Sequence, residues 1–228
     1  MTQKHFANFW DLIHNVQFAQ DRALMVLKLI KKFNYNAKNV LELGVGTGNV
    51  LKHFKDTFKV YGLDIEQEYI DICKTKISNG NFFVESMKNF SLTKKFDVIF
   101  CIYDSINFLK NLEEWKETFS CVKKHLTEGG IFIFDMYLPI ILKDMKDKAG
   151  WHENFEFGLM TCTPIVKENF LQWKFKIIEK GKKFKELEYD FWERIYKEKQ
   201  VLPLVKKTFK IIHKEKITDD KRLLFVCS

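Results

Sequence analysis

Three glycines at alternate positions, Gly44, Gly46 and Gly48, lie inside the segment VLELGVGTGNV at residues 40–50. The apolar residues before them predict a buried strand, and the chain from about Asn49 predicts a helix. Glycine adopts positive φ angles readily and has no Cβ, so a ligand can lie directly against its backbone. A strand, a glycine turn and a helix in this order predict the ligand-binding turn of an α/β fold.

A second apolar segment, VYGLD at residues 60–64, ends on an acidic residue. This residue, Asp64, lies 20 positions after Gly44 (64 − 44 = 20). In doubly wound sheets, a carboxylate at the end of the second strand and at about this distance accepts hydrogen bonds from ribose hydroxyls. The two segments together therefore predict a nucleoside ligand, with Asp64 on its ribose.

Another acidic residue, Glu42, stands two positions before the first glycine, and the glycines follow G-x-G-x-G rather than the dinucleotide spacing G-x-G-x-x-G. A carboxylate at this place repels a pyrophosphate and attracts an ammonium group. The pattern E-x-G-x-G-x-G resembles motif I of the class I S-adenosylmethionine (SAM)-dependent methyltransferases. The resemblance implies that Glu42 lies near the amino group of the methionine part of SAM, and that Asp64 holds the ribose.

Proteins of this kind usually place an Asp and then an apolar residue against the adenine, after the third strand. Ser86 stands at the Asp position here, so Glu85 or Ser86 is the expected polar contact and Met87 the expected apolar one. Met87 as an ordinary core residue is the alternative. With two isoleucines at the ends of the second and fourth strands, the predicted cofactor site comprises Glu42, Gly44, Gly46, Gly48, Asp64, Ile65, Glu85, Ser86, Met87 and Ile102.

Predicted strands alternate with predicted helices as far as residue 135, which favours a parallel sheet with helices on both faces. The resemblance extends this to an α/β, doubly wound, Rossmann-like sheet of seven mostly parallel strands with an antiparallel C-terminal strand. Ligands of such sheets bind beyond the carboxyl ends of the strands. Asp64, Glu85, Asp104 and Asp135 all follow or end predicted strands, so we expect them at one edge.

Beyond the fifth strand, apolar residues alternate with polar ones, which predicts antiparallel hairpins. The predicted turns are Thr163-Pro164 and Lys180-Gly181. We expect these strands to form an antiparallel β insert over the carboxyl edge of the sheet. The chain is expected to form one domain, residues 1–228, with its core at residues 1–136 and 195–228 and the insert at residues 137–194.

Methyl transfer from a sulfonium depends on positioning and exclusion of water, so a dense catalytic triad is not expected. The segment YDSIN at residues 103–107, the insert and YDFWERIY at residues 189–196 resemble small-molecule methyltransferases, particularly amino-sugar N,N-dimethyltransferases. In such relatives the insert covers the acceptor pocket. We assign catalytic roles to Tyr103, Asp104 and His152, and substrate contacts to Tyr137, Trp192, Glu193 and Arg194. An exposed His152, and Trp192 and Arg194 as packing or solvated strand residues, are the alternatives.

The favoured function is SAM-dependent methyl transfer to a small molecule by in-line displacement, with an amine preferred over a hydroxyl. Two alternatives stay open: an RNA or protein methyltransferase that uses the basic surface, and a non-catalytic SAM-binding module. The net charge is +8, from 38 basic and 30 acidic residues, but the lysines are scattered among acids, which disfavours nucleic acid as the partner. An NAD-dependent oxidoreductase is disfavoured by the glycine spacing.

The five cysteines are odd in number and contain no C-x-x-C pair, which predicts reduced thiols. No histidine is grouped with acids or cysteines, so no metal is expected. The sequence contains no apolar run of about 18 residues that would predict a transmembrane helix, and its first ten residues lack the apolar core of a signal peptide. We expect a cytoplasmic protein without membrane contact, a monomer or a homodimer.

Overall fold

The computed structural model describes residue 7 and residues 16–156, 158–180, 185–217 and 221–228. The apolar spacing of residues 6–13 predicts an amphipathic helix, and residues 218–220, Thr-Asp-Asp, predict a turn; apart from Ala7, both segments lie outside the described ranges. Within the described residues the chain forms two β-sheets and the helices that cover the larger one.

The larger sheet consists of β1 Asn39–Leu43, β2 Lys59–Asp64, β3 Asn81–Val84, β4 Phe96–Cys101, β5 Leu126–Tyr137, β10 Ile211–Ile217 and β11 Arg222–Cys227. Its order is β10-β11-β5-β4-β1-β2-β3. Strands β1 to β5 run parallel, β11 runs antiparallel to β5, and β10 runs antiparallel to β11. The predicted doubly wound sheet is therefore confirmed. The order reverses between β1 and β4, where such sheets bind ligands at the carboxyl ends of the strands.

Helices cover both faces of this sheet because its central strands are apolar on both sides. The helices are α1 Val16–Phe33, α2 Gln67–Lys76, α3 Leu112–His125, α4 Ile140–Lys146 and α5 Glu198–Thr208. In β5, Phe132 and Phe134 pack in one buried cluster with α3 and α5, whereas Ile131 and Ile133 pack in the other with α1 and α2. No helix in the described ranges is long and apolar enough to span a membrane.

The helix predicted from about Asn49 is replaced by a single 3-10 turn, Leu51–His53. Two successive N–H groups, of His53 and Phe54, donate to carbonyls three residues back, at 3.1 and 3.0 Å, so the α-helical ladder does not form. Burial of Leu51 and Phe54 fixes this short turn against the core. The helix-dipole attraction that a longer helix provides is therefore absent here, and the glycine backbone and nearby side chains make the site.

The smaller sheet is antiparallel and contains β6 Trp151–Phe155, β7 Gly158–Lys167, β8 Phe170–Glu179 and β9 Lys185–Arg194 in that order. It shares no strand pairing with the larger sheet among the described residues. It accounts for most of the predicted insert, although β5 extends to Tyr137 and α4 precedes β6. The proposed division of the chain into core and insert stays a prediction.

The turn predicted at Thr163-Pro164 is wrong, because both residues lie inside β7, opposite Lys174 and Trp173. The chain reverses between β7 and β8, where Glu168 has φ 53°. Proline fits inside β7 because β6 pairs with that strand only as far as Cys162. Beyond this point one side of β7 is an edge, where a missing N–H costs no strand hydrogen bond. The other predicted turn is Lys180-Gly181, and its second residue, Gly181, lies outside the described residues.

The smaller sheet docks on the carboxyl edge of the larger one through the end of β9. Asn107, in the 3-10 turn that follows β4, donates from Nδ2 to the backbone oxygen of Arg194 at 2.8 Å. A buried apolar cluster of Ile141, Leu171 and Ile195 joins α4 to β8 and the residue after β9. These contacts bring the last residues of β9 to the ends of β4 and β5.

Candidate active site

The glycine turn after β1 is open on one side and closed on the other. Gly44 has φ 68°, and a Cβ added there would lie 3.0 Å from the Cβ of Ser105. Gly46 has φ 51°, yet a Cβ added there would meet no atom of the described residues within 4 Å. Positive φ favours glycine at both positions. The backbone at Gly46 therefore faces free space where a ligand can lie against it.

Glu42 is a buried acid at the end of β1, only 4% exposed. Its Oε2 atom has no hydrogen-bond partner in the described part of the chain. Burial raises the pKa of Glu42 well above its ordinary value, and the nearby Asp64 carboxylate raises it further. A buried carboxylate with an unused acceptor is costly unless a cation pairs with it. The site is therefore suited to a positively charged ligand group.

Asp64 joins the ends of β1 and β2. Its Oδ2 accepts a hydrogen bond from the Gly46 N–H at 2.9 Å, and its Oδ1 accepts one from the Glu66 N–H at 3.1 Å. Burial raises the pKa of Asp64, although these two N–H groups oppose the rise. A carboxylate has about four lone-pair sites, so Asp64 retains capacity for ribose hydroxyls beside the glycine turn.

The residues assigned to the adenine lie at neighbouring strand ends. Asp64 is opposite Val84 in the β2–β3 pair, so Ile65 and Glu85 follow on adjacent strands. Ile65 is 65% exposed, which is unusual for so large an apolar side chain. Met87 reaches to 3.6 Å from a Cβ placed on Gly44, Ser86 accepts the Lys88 N–H at 3.4 Å, and Ile102 is buried.

A second group of polar side chains lies under the insert, and we call Asp104, Tyr137, Glu193 and Arg222 the acidic cluster. Arg222, in β11, donates to Asp104 Oδ1 and, at 3.0 Å, to the hydroxyl of Tyr137. Burial raises the pKa of Asp104, and Arg222 opposes the rise. The cluster draws on the ends of β4, β5, β9 and the start of β11, so it forms only in the folded chain.

Glu193 is the member of the acidic cluster that the insert contributes, and it is 2% exposed. Burial raises the pKa of Glu193 well above its ordinary value, and the Asp104 carboxylate raises it further. The Trp173 side chain lies near Glu193 and opposes this rise. Its Oε2 has no partner among the described residues. Glu193 is thus a strongly basic carboxylate that is excluded from water, and its Oε2 can accept a hydrogen bond from a ligand.

A cavity of ≈ 300 Å³ adjoins the acidic cluster. Its walls include three aromatic side chains, Phe18, Tyr137 and Trp173, together with Arg222. Ile141 and Met145 of α4 add apolar surface. The volume lies at the lower end of the range for small-molecule pockets, so the cavity suits a compact molecule with an apolar side.

Three residues assigned from the sequence do not join this cluster. His152 is exposed in β6, opposite Thr161. Trp192 and Arg194 alternate with Glu193 along β9 and therefore point to the other face of the sheet. There Trp192 packs on Phe170 with ring centroids 6.1 Å apart, and the guanidinium of Arg194 stacks on the same ring at 4.7 Å.

The sequence-based assignment omits two polar residues that assemble the cluster. Arg222 supplies its positive charge, as described above. Asn107 is fully buried and accepts the Tyr137 N–H at 3.0 Å while it donates to the Arg194 carbonyl. The segment YDSIN contains Asn107, but no local pattern marks it as a link between strands.

Residues 40–130 match the model of a methyltransferase domain. The chain carries a methyltransferase domain. A curated relative, the dTDP-3-amino-3,4,6-trideoxy-alpha-D-glucopyranose N,N-dimethyltransferase of Streptomyces venezuelae, is 23% identical over 111 residues. The aligned part is 48% of this chain and 47% of that enzyme, so the chain spans about half the length of this relative.

Two solved structures share the fold of this chain over nearly its whole length. An S-adenosylmethionine-dependent methyltransferase from Clostridium acetobutylicum has a TM-score of 0.85 at 20% identity, with 98% of this chain and 97% of that chain covered. SAM-bound CalS10, an amino pentose methyltransferase from Micromonospora echinaspora, has a TM-score of 0.78 at 17% identity, with 100% and 97% covered.

These comparisons confirm the predicted methyltransferase, its Rossmann-like fold and its resemblance to the amino-sugar N,N-dimethyltransferases. The predicted cofactor, SAM, agrees with the methyltransferase domain and with the SAM-bound neighbour of the same fold. The residues assigned to the cofactor and to the acceptor stay predictions.

Proposed function

We propose that this methyltransferase transfers the methyl group of SAM to a small-molecule acceptor, with an amine preferred over a hydroxyl. The observation that carries the proposal is the buried Glu42 carboxylate, whose Oε2 has no hydrogen-bond partner in the described structure, at the strand end that leads into the glycine turn. Such a carboxylate favours a cationic ligand group. The amino group of the methionine part of SAM is cationic at neutral pH.

The remaining residues of this edge fit the other parts of the cofactor. When bound, SAM supplies an electrophilic methyl group whose leaving group is a neutral thioether. The open backbone at Gly46 leaves room for the ligand, the Asp64 carboxylate would accept hydrogen bonds from the ribose, and the exposed Ile65 would cover one face of the adenine. The residues that would complete the adenine and methionine contacts are Gly44, Gly48, Glu85, Ser86, Met87 and Ile102.

The acidic cluster supports an amine as the acceptor. An ammonium group must lose a proton before its nitrogen can attack a methyl carbon, so a base is needed close by. Glu193, as the carboxylate, would accept that proton, and its high pKa favours the transfer. With the proton on Glu193, the nitrogen lone pair would be free to accept the methyl group that bound SAM supplies. Tyr103, Asp104 and Tyr137 would orient the acceptor.

The aromatic cavity of ≈ 300 Å³ beside the acidic cluster supports a compact acceptor over RNA or a protein substrate. Its walls come from α1, α4 and the insert as well as the core, so water can be excluded when it is filled. A cytoplasmic location and a monomeric or homodimeric state complete the proposal.

Ligand-dependent melting tests the cofactor. We expect SAM and S-adenosylhomocysteine to raise the melting temperature and NAD to leave it unchanged. A ligand that binds only the folded state stabilises it by about 2.7 kcal/mol at one hundred times its dissociation constant. Stabilisation by NAD without stabilisation by SAM would overturn the proposal.

Transfer of labelled methyl to a panel of amino sugars and other small amines, each paired with the alcohol of the same skeleton, tests the acceptor class. We expect label in amines. Label only in the alcohols would contradict the amine preference, and SAM binding without transfer to any small acceptor would favour the alternative of a SAM-binding module.

Replacing Glu42 with glutamine should stabilise the ligand-free protein and weaken SAM binding. Because folding raises the pKa of Glu42, its ionisation destabilises the folded state once the pH exceeds about 4.3, the ordinary value of a Glu side chain. The gain in melting temperature should therefore be larger at pH 8 than at pH 5. Loss of a charge-assisted contact worth about 1.5–3 kcal/mol should lower SAM affinity roughly 10- to 100-fold in calorimetry.

Glu117→Gln, at an exposed position on α3, is the matched control and should change neither quantity. Unchanged SAM affinity in Glu42→Gln would remove Glu42 from the cofactor site.

A further inference from the structure

Two consecutive residues at the end of β4 adopt the left-handed conformation. Tyr103 has φ 66° and Asp104 has φ 55°. For residues other than glycine this conformation is uncommon and strained, and it persists where surrounding contacts hold it. Tyr103 and Asp104 are also two of the residues proposed to contact the acceptor. The contact that maintains their left-handed backbone therefore also determines where their side chains lie.

That contact comes from Asp135, a fully buried residue of the neighbouring strand β5. Its Oδ1 accepts the Asp104 N–H at 2.7 Å, and its Oδ2 accepts the Tyr103 N–H at 3.3 Å. One carboxylate therefore satisfies both N–H groups of the left-handed pair. Because an amide offers only one acceptor oxygen, a carboxylate is the side chain of this size that can do so.

The charges around Asp135 match this role. The negative charge of Asp135 favours the charged forms of two nearby guanidinium groups, those of Arg22 and Arg222. Arg222 also binds the Asp104 side chain. Asp135 thus holds the backbone N–H of Asp104 while Arg222 holds its carboxylate, and the two contacts together fix the direction of the Asp104 side chain.

We propose that Asp135 is a positioning residue for methyl transfer, which holds Tyr103 and Asp104 in the left-handed conformation so that the Asp104–Glu193 pair faces the transferred methyl group. This inference rests on the proposed function. Asp135 touches neither cofactor nor acceptor, and it acts through the backbone of the two residues before the 3-10 turn.

The test uses a probe that needs no identified acceptor. Sinefungin carries an amine where SAM carries its sulfonium methyl, and S-adenosylhomocysteine lacks both. If the carboxylates face this position, the wild-type protein should bind sinefungin at least about tenfold more tightly than S-adenosylhomocysteine, because charge-assisted hydrogen bonds are worth more than this factor. Asp135→Asn should bring the two affinities within about threefold of each other and leave the affinity for S-adenosylhomocysteine nearly unchanged.

A double-mutant cycle separates positioning from general loss of structure. Asp104→Asn should remove the same preference, and Asp135→Asn with Asp104→Asn together should remove no more, because both act through one carboxylate. In heteronuclear NMR spectra, the downfield amide signal of Asp104 should move upfield in Asp135→Asn. If Asp135→Asn does not fold, Asp135→Glu keeps the charge, displaces the two oxygens and should lose the preference.

Asp97 provides the matched control. It accepts the N–H groups of Lys38 and Asn39, both at 2.9 Å, from the opposite end of β4. Asp97→Asn should lower stability without changing the preference for sinefungin. A wild-type protein without this preference, or an Asp135→Asn protein that keeps it, would overturn the inference. Failure to bind S-adenosylhomocysteine at all would instead refute the proposed function.

Discussion

Replacing Glu193 with glutamine should slow methyl transfer to an amine by about 10²-fold or more, the usual contribution of a general base. Glutamine has nearly the same shape but cannot accept the proton from the acceptor nitrogen. SAM affinity should stay within about twofold of the wild-type value, because Glu193 belongs to the insert and not to the glycine turn. Single-turnover rates with labelled SAM, beside calorimetric SAM affinity, measure the two effects separately.

The pH dependence should change in a defined direction. Glu193 must be ionised to act as the base, so wild-type turnover should rise with pH through its raised pKa. In Glu193→Gln this limb should disappear, and the remaining rate should follow the pKa of the acceptor amine at higher pH. The variant should also be more stable than the wild type at neutral pH, because ionisation of the buried carboxyl destabilises the folded state.

Glu188→Gln is the matched control, since Glu188 is an exposed residue of the same strand. Its rate, pH profile and stability should equal those of the wild type. A Glu193→Gln protein with the wild-type rate and pH profile would exclude Glu193 as the base and leave water as the proton acceptor.

The residues assigned to the cofactor could be predicted from the sequence because they lie in short segments close together along the chain. The strand, the glycine turn and Glu42 lie within ten residues, and the spacing to Asp64 is set by one β–turn–β unit. Hydrophobic runs of β-strand length predict buried parallel strands without knowledge of their neighbours. The structure then supplies a contact that spacing cannot, the 2.9 Å hydrogen bond from the Gly46 N–H to Asp64.

The acceptor side could be predicted only in part, because its contacts join distant parts of the chain. Arg222 pairs with Asp104 across 118 positions, and Asn107 binds the carbonyl of Arg194 across 87. A single sequence has no periodicity that reports such pairs. The alternation of side chains along a strand could have separated these assignments. Leu187, Phe191 and Glu193 share one face of β9, so Trp192 and Arg194 must lie on the other face.

The short turn after Gly48 and the strand through Pro164 show how tertiary context overrides local preference. Apolar residues after Gly48 fit a helix, but burial of Leu51 and Phe54 fixes a single 3-10 turn. Proline predicts a break in a strand, yet Pro164 lies where β6 has already ended and β7 has a free edge. In both places the deciding contact comes from another element.

Removing the far part of the β8–β9 hairpin should abolish methyl transfer and leave SAM binding nearly intact. Leu171 and Glu193 are partners across the two strands, so a two-glycine turn in place of residues 172–192 joins positions that already face each other. In the part of the chain that the structure describes, the larger sheet has no strand pairing with β8 or β9, so the core should keep its fold. SAM affinity by calorimetry should stay within about threefold.

Transfer should fail because the cut removes Trp173, which lines the cavity and lies near Glu193. Glu193 would then lie in water, where its pKa returns to the ordinary value and it becomes a weak base. A shorter cut, of residues 176–188, joins Phe175 to Tyr189, which are also partners, and keeps Trp173. It shortens the same hairpin, yet it should retain transfer within about tenfold of the wild type. Turnover within about tenfold of the wild type in both shortened proteins would show that the wall and the buried carboxylate are dispensable, and that the acceptor binds to the core alone.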